Sequence, residues 1–250
     1  MPSPLEILLD PISMLALSIY TGVIFWEFCF PARELTKVPY WVLRGTVAFF
    51  VYFYLSTYLP LWWDEKLQPL QLLDVSTWPV LAQVTAGLFA YEFCVYAYHR
   101  FAHSSPIIWR AFHQMHHSAE RVDTFGAFWF SPLDMIAFTF LGSFAFVVLV
   151  GMNSSAATCV LLLTLFLGVF QHANIRTPRW LGYIIQRPES HSYHHSRGHH
   201  RDNYADIPII DIVFGTFYNP RGFCDTGFYH GASNRVIDMM LWRDVYKPRI

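Results

Sequence analysis

The sequence predicts an all-α integral membrane protein with about four transmembrane helices and a helical cap rich in histidine. Its 250 residues are 54% hydrophobic and only 14% charged, whereas a soluble globular domain averages about 25% charged residues. Several apolar segments approach the roughly 20 residues that a membrane helix needs. Eleven of the twelve histidines fall in three places, two dense runs and the single His172 between them.

The chain is expected to form a single membrane domain over residues 1–250. No internal repeat and no low-complexity linker divides it. The first residues lack a basic region ahead of the apolar segment, so we do not expect a cleaved signal peptide. Four scattered cysteines without a C-x-x-C pair favour small core residues over a disulfide framework or a zinc knuckle.

The first two membrane segments are predicted at residues 11–30 and 45–61. The first is apolar except for Glu27 near its end. The second has no charge and is followed by Trp62 and Trp63, an aromatic pair typical of the membrane–water interface.

The third segment, residues 78–98, contains Glu92 and runs directly into the first histidine run. Residues 132–152 and 156–170 are two further apolar segments with only a short loop between them. Each is short for a full span, so the pair is either two full helices or a hairpin that enters and leaves by one face. The polar and aromatic residues 171–250 predict a cap of short helices.

Glu27 and Glu92 are acidic groups inside predicted membrane segments, where acids are costly and often functional. One interpretation is a proton-transfer role or support of a metal ligand. The other is a position near the interface, paired with an arginine. We favour the ion pair for Glu27 and leave both interpretations open for Glu92, which precedes His99 by two helical turns.

The basic residues predict the orientation in the membrane. Of the seventeen Lys and Arg, only Lys66 lies in the loop between the second and third segments. Cytoplasmic loops carry an excess of Lys and Arg, so we expect the N-terminus outside and residues 31–44 inside. This topology puts every clustered histidine on the cytosolic face of a bacterial inner membrane or an endoplasmic reticulum membrane.

The histidines are spaced for metal binding, because positions three and four residues apart share one helix face. The candidate ligands are His99, His103, His113, His116, His117, His172, His191, His194 and His195. Neutral imidazole is the commonest metal ligand and suits iron, zinc, copper and nickel. His230 stands apart and is expected to be an ordinary surface or core residue.

Nine or ten candidate ligands imply two metal ions, because one ion takes about four to six ligands. An all-histidine set without Glu-x-x-His differs from soluble di-iron carboxylate bundles. Structural zinc needs only four ligands, so open positions for O2 and a substrate favour redox iron. Residues 131–134 predict the start of a helix, and we assign them no chemistry.

Five stretches of this chain resemble the fatty acid hydroxylase / sterol desaturase superfamily: HRFAH, HQMHH, FQHANIRTPRW, RPESHSYHH and DNYADIPIIDIVFGTF. The resemblance covers residues 85–220 as a catalytic region. Residues 1–80 would then form an N-terminal transmembrane hairpin and residues 221–250 a C-terminal tail. The resemblance implies a non-haem di-iron centre on the cytosolic face, held by the three histidine boxes, with His172 as the isolated ligand between them.

The chain departs from the family pattern after His172. Several members have a second histidine shortly after the isolated one, where this chain has Asn174. A tenth ligand is expected at His200, with His199 as the less favoured neighbour and Asn174 acting through a water as a third option. Asp202 and Asp206 are the candidates that would orient ligand rings, since a ligating histidine usually donates its other N–H to a carboxylate, a carbonyl or water.

The resemblance implies an O2-dependent oxidoreductase that hydroxylates, desaturates or oxidatively demethylates a lipid or sterol C–H bond. Its cofactors would be two Fe ions, with O2 as co-substrate and no catalytic side chain beyond the metal ligands. No fused haem or flavin domain is visible, so a separate electron donor is expected, either cytochrome b5 or a ferredoxin with its reductase. The net charge of −1 argues against a nucleic-acid partner.

The rival interpretation is a metal transporter or a zinc-stabilised membrane protein without redox activity. A transport pore needs acidic or histidine groups along its length within the bilayer. Here the clusters follow the membrane segments, which disfavours a pore. The aromatic residues after the second box are open to two interpretations, a wall of the substrate site or interfacial anchoring; they are Phe125, Phe128, Trp129 and Phe130.

Overall fold

The computed structural model describes residues 1–248, and within them it consists of helices and loops without a β-strand. In chain order the α-helices are α1 (Pro4–Leu8), α2 (Pro11–Cys29), α3 (Trp41–Leu67), α4 (Val80–Ser104), α5 (Pro106–Ile108), α6 (Gln114–His117), α7 (Pro132–Ser143), α8 (Ser154–His172), α9 (Pro188–His194), α10 (Pro208–Phe214) and α11 (Val236–Met240). The predicted all-helical architecture is therefore confirmed for the described residues.

Within residues 1–248, five helical segments are long and apolar enough to cross a membrane, where about four were expected. They are α2, α3, α4, α8 and the segment Pro132–Val150, in which α7 continues as a π-helical turn. The two segments that the sequence left open, Pro132–Val150 and Ser154–His172, are each 19 residues long. Each is therefore close to the length that a full span needs.

Local capping separates these two helices. Gly151 ends the first of them with φ at +59°, a left-handed conformation that glycine adopts without steric cost. The Asn153 side chain then accepts the Ala156 N–H at 2.9 Å and caps the start of α8. The two helices are thus joined by a tight, well-capped turn.

Aromatic packing joins the helices, and apolar side chains cover the outside of the bundle. Tyr20 of α2 stacks on Phe49 of α3 with ring centroids 4.1 Å apart. In contrast, Phe25, Phe28 and Leu81 are 68%, 82% and 78% exposed. Such a large exposed apolar surface is typical of helices that contact lipid.

The two acidic residues within spans anchor loops that pass over one end of the bundle. Glu27 Oε2 accepts the backbone N–H groups of Thr124 at 2.9 Å and Asn174 at 3.1 Å. Glu92 Oε2 accepts the backbone N–H of Asp206 at 2.8 Å. Among the described residues Glu27 therefore pairs with backbone N–H groups and the Thr124 hydroxyl, and not with the expected arginine. Both carboxylates position segments that follow a candidate metal ligand in the chain.

Candidate metal centre

All nine candidate histidines come together at one end of the bundle, in two groups. The five-histidine group contains His99, His103, His113, His117 and His194, and the four-histidine group contains His116, His172, His191 and His195. Within each group, one ring nitrogen of every member lies within 4.8 Å of those of the others. The sequence thus correctly predicted which rings meet, and their binding of metal stays a prediction.

Each H-x-x-H-H run contributes to both groups. From the first run, the two histidines four residues apart join the five-histidine group, and His116 joins the four-histidine group. From the second run, His194 joins the five-histidine group, and His191 and His195 join the four-histidine group. The rings of His117 and His195 stack with centroids 4.1 Å apart, so the two groups are direct neighbours.

The rings of the five-histidine group share one arrangement, in which every Nε2 is buried without a hydrogen-bond partner. The Nδ1 partners are the carbonyl oxygen of Tyr204 for His99 (2.8 Å), that of His200 for His103 (2.7 Å), that of Asp202 for His194 (2.6 Å), Oδ2 of Asp134 for His113 (2.7 Å) and Nδ1 of His200 for His117 (3.1 Å).

A carbonyl oxygen only accepts, so Nδ1 of His99, His103 and His194 carries the proton and Nε2 keeps a lone pair. Buried polar atoms in proteins are almost always satisfied. Five unpartnered Nε2 atoms that converge, with their outer nitrogens held, are the arrangement expected of metal ligands.

In the four-histidine group the Nε2 atoms face each other. Nε2 of His172 lies 3.1 Å from that of His116 and 3.0 Å from that of His191. Nε2 of His195 lies 3.0 Å from that of His191. Nitrogens bound about 2.0–2.1 Å from one ion stand roughly 2.9–3.4 Å from each other. The spacing of this group therefore fits a single metal ion.

Burial in the cap favours the neutral form of six histidine rings, and metal binding requires neutral rings. Six cap histidines have a lowered pKa, and burial is the largest cause for each of them. The charge of neighbouring histidine rings is the second cause for the box histidines. The six residues are His116, His117, His191, His194, His195 and His200. The pKa of His200 falls to about 4.

The metal-free protein should lose stability as the pH falls below about 6.5, the pKa of unfolded histidine. Six cap histidines have lowered pKa values in the folded chain, so the unfolded chain binds more protons in this range. Burial raises the pKa values of Asp206 and Asp211 to about 6. These two groups therefore stabilise the folded chain as the pH falls, but they are outnumbered by the six histidines.

We expect the Tm of chelator-treated protein in detergent to fall between about pH 7.5 and about pH 5.5. The detergent micelle alone serves as the control for changes in the scattering baseline. A Tm that rises over the same interval would contradict the burial of neutral rings.

Asp134, to which the sequence analysis assigned no chemistry, is an acidic partner of the candidate ligand His113. Its side chain is fully buried, and Oδ2 lies 2.7 Å from Nδ1 of His113. The Tyr98 hydroxyl donates to the other oxygen, Oδ1, at 2.5 Å. The sequence showed only a helix start here, although an acid in the first turn of an apolar segment is a signal of function.

The predicted tenth ligand, His200, lies outside both groups among the described residues. Its carbonyl oxygen accepts from His103, and its Nδ1 lies 3.1 Å from Nδ1 of His117. The less favoured His199 places Nε2 3.1 Å from the carboxylate of Asp202. Both residues therefore lie where they can support the five-histidine group from outside.

The two candidates for orienting ligand rings, Asp202 and Asp206, and the third option for a tenth ligand, Asn174, occupy different positions. Asp202 contacts His194 through its backbone carbonyl and not through its carboxylate. Asp206 accepts from the Gln171 amide at 2.6 Å, next to His172 in the chain. The Asn174 amide donates to the carbonyl of residue 33 at 2.7 Å and so holds a loop.

A largely apolar cavity of about 300 Å³ reaches the histidines from within the helix bundle. Rings of both groups line it, and so do Phe128 and Phe130. The Phe130 ring stacks on the ring of His116 at 4.3 Å. Trp129 instead packs against Trp41 at 5.5 Å in the core. The aromatic run after the second box therefore splits between the cavity wall and the protein core.

The comparisons with known proteins agree with this geometry. The sequence model of the fatty acid hydroxylase family matches residues 84–216, a range that contains all nine grouped histidines. Neither the comparison with curated proteins nor that with solved structures gives a match.

Proposed function

Because the chain belongs to the fatty acid hydroxylase family, we propose that it is an O2-dependent membrane enzyme that hydroxylates or desaturates a lipid or sterol C–H bond. A histidine-bound pair of iron ions would form its active centre. One observation carries the proposal. Nine histidine rings, eight of them buried and His103 partly exposed, converge in two adjacent groups, and rings of both groups line the apolar cavity. Oxidative demethylation would use the same centre.

Each histidine group would hold one ion through its converging Nε2 atoms. When bound, the iron pair would supply the activation of O2 and the attack on an unactivated C–H bond. The chain's residues would do the rest. Carbonyl oxygens and the Asp134 carboxylate orient the rings, and the apolar cavity presents the substrate and excludes water.

Two features support a redox centre over structural zinc. The five-histidine group offers more ligands than the four that structural zinc uses. The cavity is lined by rings of both groups, including His113 and His172. A purely structural ion needs no access to an apolar cavity, whereas an oxygenase must bring the substrate to its metal ions.

The location and the partners belong to the same proposal. The asymmetry of Lys and Arg supports placing the histidines on the cytosolic face of a bacterial inner membrane or an endoplasmic reticulum membrane. A separate electron donor, cytochrome b5 or a ferredoxin with its reductase, would deliver electrons there. The substrate would enter from the bilayer, because the cavity lies among apolar helices.

Metal analysis of detergent-purified protein tests the proposal directly. We expect about two irons per chain, one for each histidine group, and a Mössbauer spectrum of an interacting iron pair. Reduced protein should also consume O2. A single metal per chain, or zinc that iron cannot replace while the fold survives, would contradict the oxygenase and favour the transporter or zinc-stabilised alternative.

A further inference from the structure

The five-histidine group is covered from two sides. Its rings of His99 and His113 line the cavity, whereas His103 and His117 are not among the described residues that line it. The latter two rings pack against Trp109, with centroids 5.0 Å and 5.1 Å from the ring of Trp109. Trp109 therefore covers a side of the group that the cavity does not reach.

Aromatic side chains continue from Trp109 to the protein surface. The ring centroid of Trp109 lies 5.9 Å from that of His200 and 6.1 Å from that of Phe228. These two rings lie 5.8 Å and 5.2 Å from the ring of Tyr246. His200 and Phe228 are buried, whereas Tyr246 is 38% exposed. A path of neighbouring rings therefore joins two candidate metal ligands to an exposed side chain.

The segment that carries Tyr246 is held against the second histidine box. The fully buried Gln114 side chain donates to the backbone carbonyl of Arg243 at 2.9 Å and accepts the backbone N–H of Val245 at 3.2 Å. Gln114 directly follows His113 in the chain, and Val245 is itself buried. The fold therefore fixes Tyr246 beside the histidines.

A path of packed rings suits electron transfer, because the rate of electron tunnelling falls steeply with distance and falls faster across empty space than through packed atoms. In the proposed centre, two ferric ions become ferrous by gaining one electron each, and no bond forms or breaks in that step. The rings of His117 and His195 stack with centroids 4.1 Å apart. An electron that reaches the five-histidine group through Trp109 is therefore next to the four-histidine group as well.

The residues around Tyr246 carry more positive than negative charge. Residues 235–250 contain four Lys or Arg and two Asp, although the whole chain has a net charge of −1. Lys247 is exposed, the Arg243 side chain is 60% exposed, and the Arg235 guanidinium donates to the carbonyl of Lys247 at 3.1 Å. Complementary charge steers two proteins together, so this surface fits a partner with an acidic face.

We propose that the surface around Tyr246 is the docking site of the electron donor, a small redox protein with an acidic face, and that each electron passes through Trp109 to the five-histidine group. This inference rests on the proposed function and gives the donor its place on the chain. The cavity and the docking surface then lie on different sides of the five-histidine group. Substrate and donor can therefore be bound at the same time.

Donor binding to metal-free protein in nanodiscs of uncharged lipid tests the docking surface. The probe is the soluble domain of cytochrome b5, with a plant-type ferredoxin in a parallel arm, and surface plasmon resonance measures the affinity. Lys247→Glu should weaken binding by about 10-fold at low salt, because charges at an interface steer association. Added salt should reduce this difference, since it screens exposed charges.

Arg176→Glu is the matched control, since Arg176 is also exposed and lies outside the path. This variant should bind the donor as tightly as the wild-type protein does. Binding of neither donor, or equal affinity in Lys247→Glu and the wild-type protein, would overturn the docking site.

Reduction of the iron-loaded protein by the donor that binds tests the path. Without O2 and substrate, oxidation of the reduced donor in a stopped-flow instrument should reach a limiting rate at high donor concentration. Trp109→Leu should lower this limiting rate several-fold or more, and Trp109→Phe, which keeps an aromatic ring, should restore most of it. Because Trp109 contacts two candidate ligands, iron content and the Mössbauer spectrum are compared with those of the wild-type protein.

Tyr246→Leu makes the same test farther from the ligands, since the Tyr246 ring contacts His200 and Phe228. It should also lower the limiting rate, and it decides the question if Trp109→Leu loses iron. A wild-type limiting rate in these leucine variants, with the iron retained, would overturn the path. The proposed function fails separately, through the absence of iron or of O2 consumption, because donor binding is measured without metal.

Discussion

Replacing His195 with alanine is expected to empty the four-histidine group and to lower turnover by more than about 100-fold, since losing only an outer partner of a ligand already costs 10–100-fold. Nε2 of His195 lies 3.0 Å from that of His191, and the ring is fully buried. Three ring nitrogens would remain, fewer than a closed histidine site uses. Product formation and iron per chain measure the effect.

The iron content separates this prediction from a general loss of folding. The five-histidine group keeps all its members in His195→Ala, so about one iron per chain should remain. His230→Ala is the control, because His230 is exposed and lies outside both groups. Full iron content and activity in His195→Ala would show that His195 is not a ligand.

Helical spacing predicted that the box histidines of the two runs would meet, but not how they divide between the two groups. The spacing of three and four residues places each triplet on one face, and both triplets do face the same centre. The division of His116 from His117 depends on how α6 packs against α8 and α9, since the other members of the group that contains His116 are His172, His191 and His195. That packing is a tertiary property, which one sequence does not reveal.

The partners of the ring Nδ1 atoms could not be predicted from the sequence for a different reason. Tyr204, His200 and Asp202 support ligands through backbone carbonyl oxygens, which every residue carries and no sequence pattern marks. Asp202 was named for its carboxylate, but the atom of Asp202 that contacts His194 is its backbone carbonyl oxygen. The cavity could not be predicted either, because residues from helices far apart in the sequence, including α3 and α8, line it together.

The fold itself was the most predictable part. Apolar length and flanking polar residues identified segments that agree with α2, α4 and α8 to within a few residues at most ends. The boundary of α3 was predicted less well, because its polar last turn, with Asp64, Glu65 and Lys66, continues the helix to Leu67. Helix continuation there follows from local propensity, whereas hydropathy marks only the apolar part.

Asp134→Asn should weaken metal binding at the five-histidine group by about 10–100-fold, the usual effect of losing an outer partner. The carboxylate accepts from Nδ1 of His113 at 2.7 Å and from the Tyr98 hydroxyl at 2.5 Å. An asparagine has the same shape but only one accepting oxygen. Either His113 or Tyr98 must therefore lose its acceptor, and the negative charge that stabilises a cationic centre is lost as well.

Tyr98→Phe is the matched control for this variant, because it removes the second hydrogen bond and leaves the carboxylate on His113. Its metal affinity should fall less than that of Asp134→Asn, and titration against a competing chelator measures both. Equal affinity in Asp134→Asn and the wild-type protein would show that the carboxylate only packs against His113. A larger loss in Tyr98→Phe would mean that the tyrosine, and not the acid, holds the ring. We expect metal affinity to be highest in the wild-type protein, lower in Tyr98→Phe and lowest in Asp134→Asn, since only Asp134→Asn changes the side chain that contacts His113.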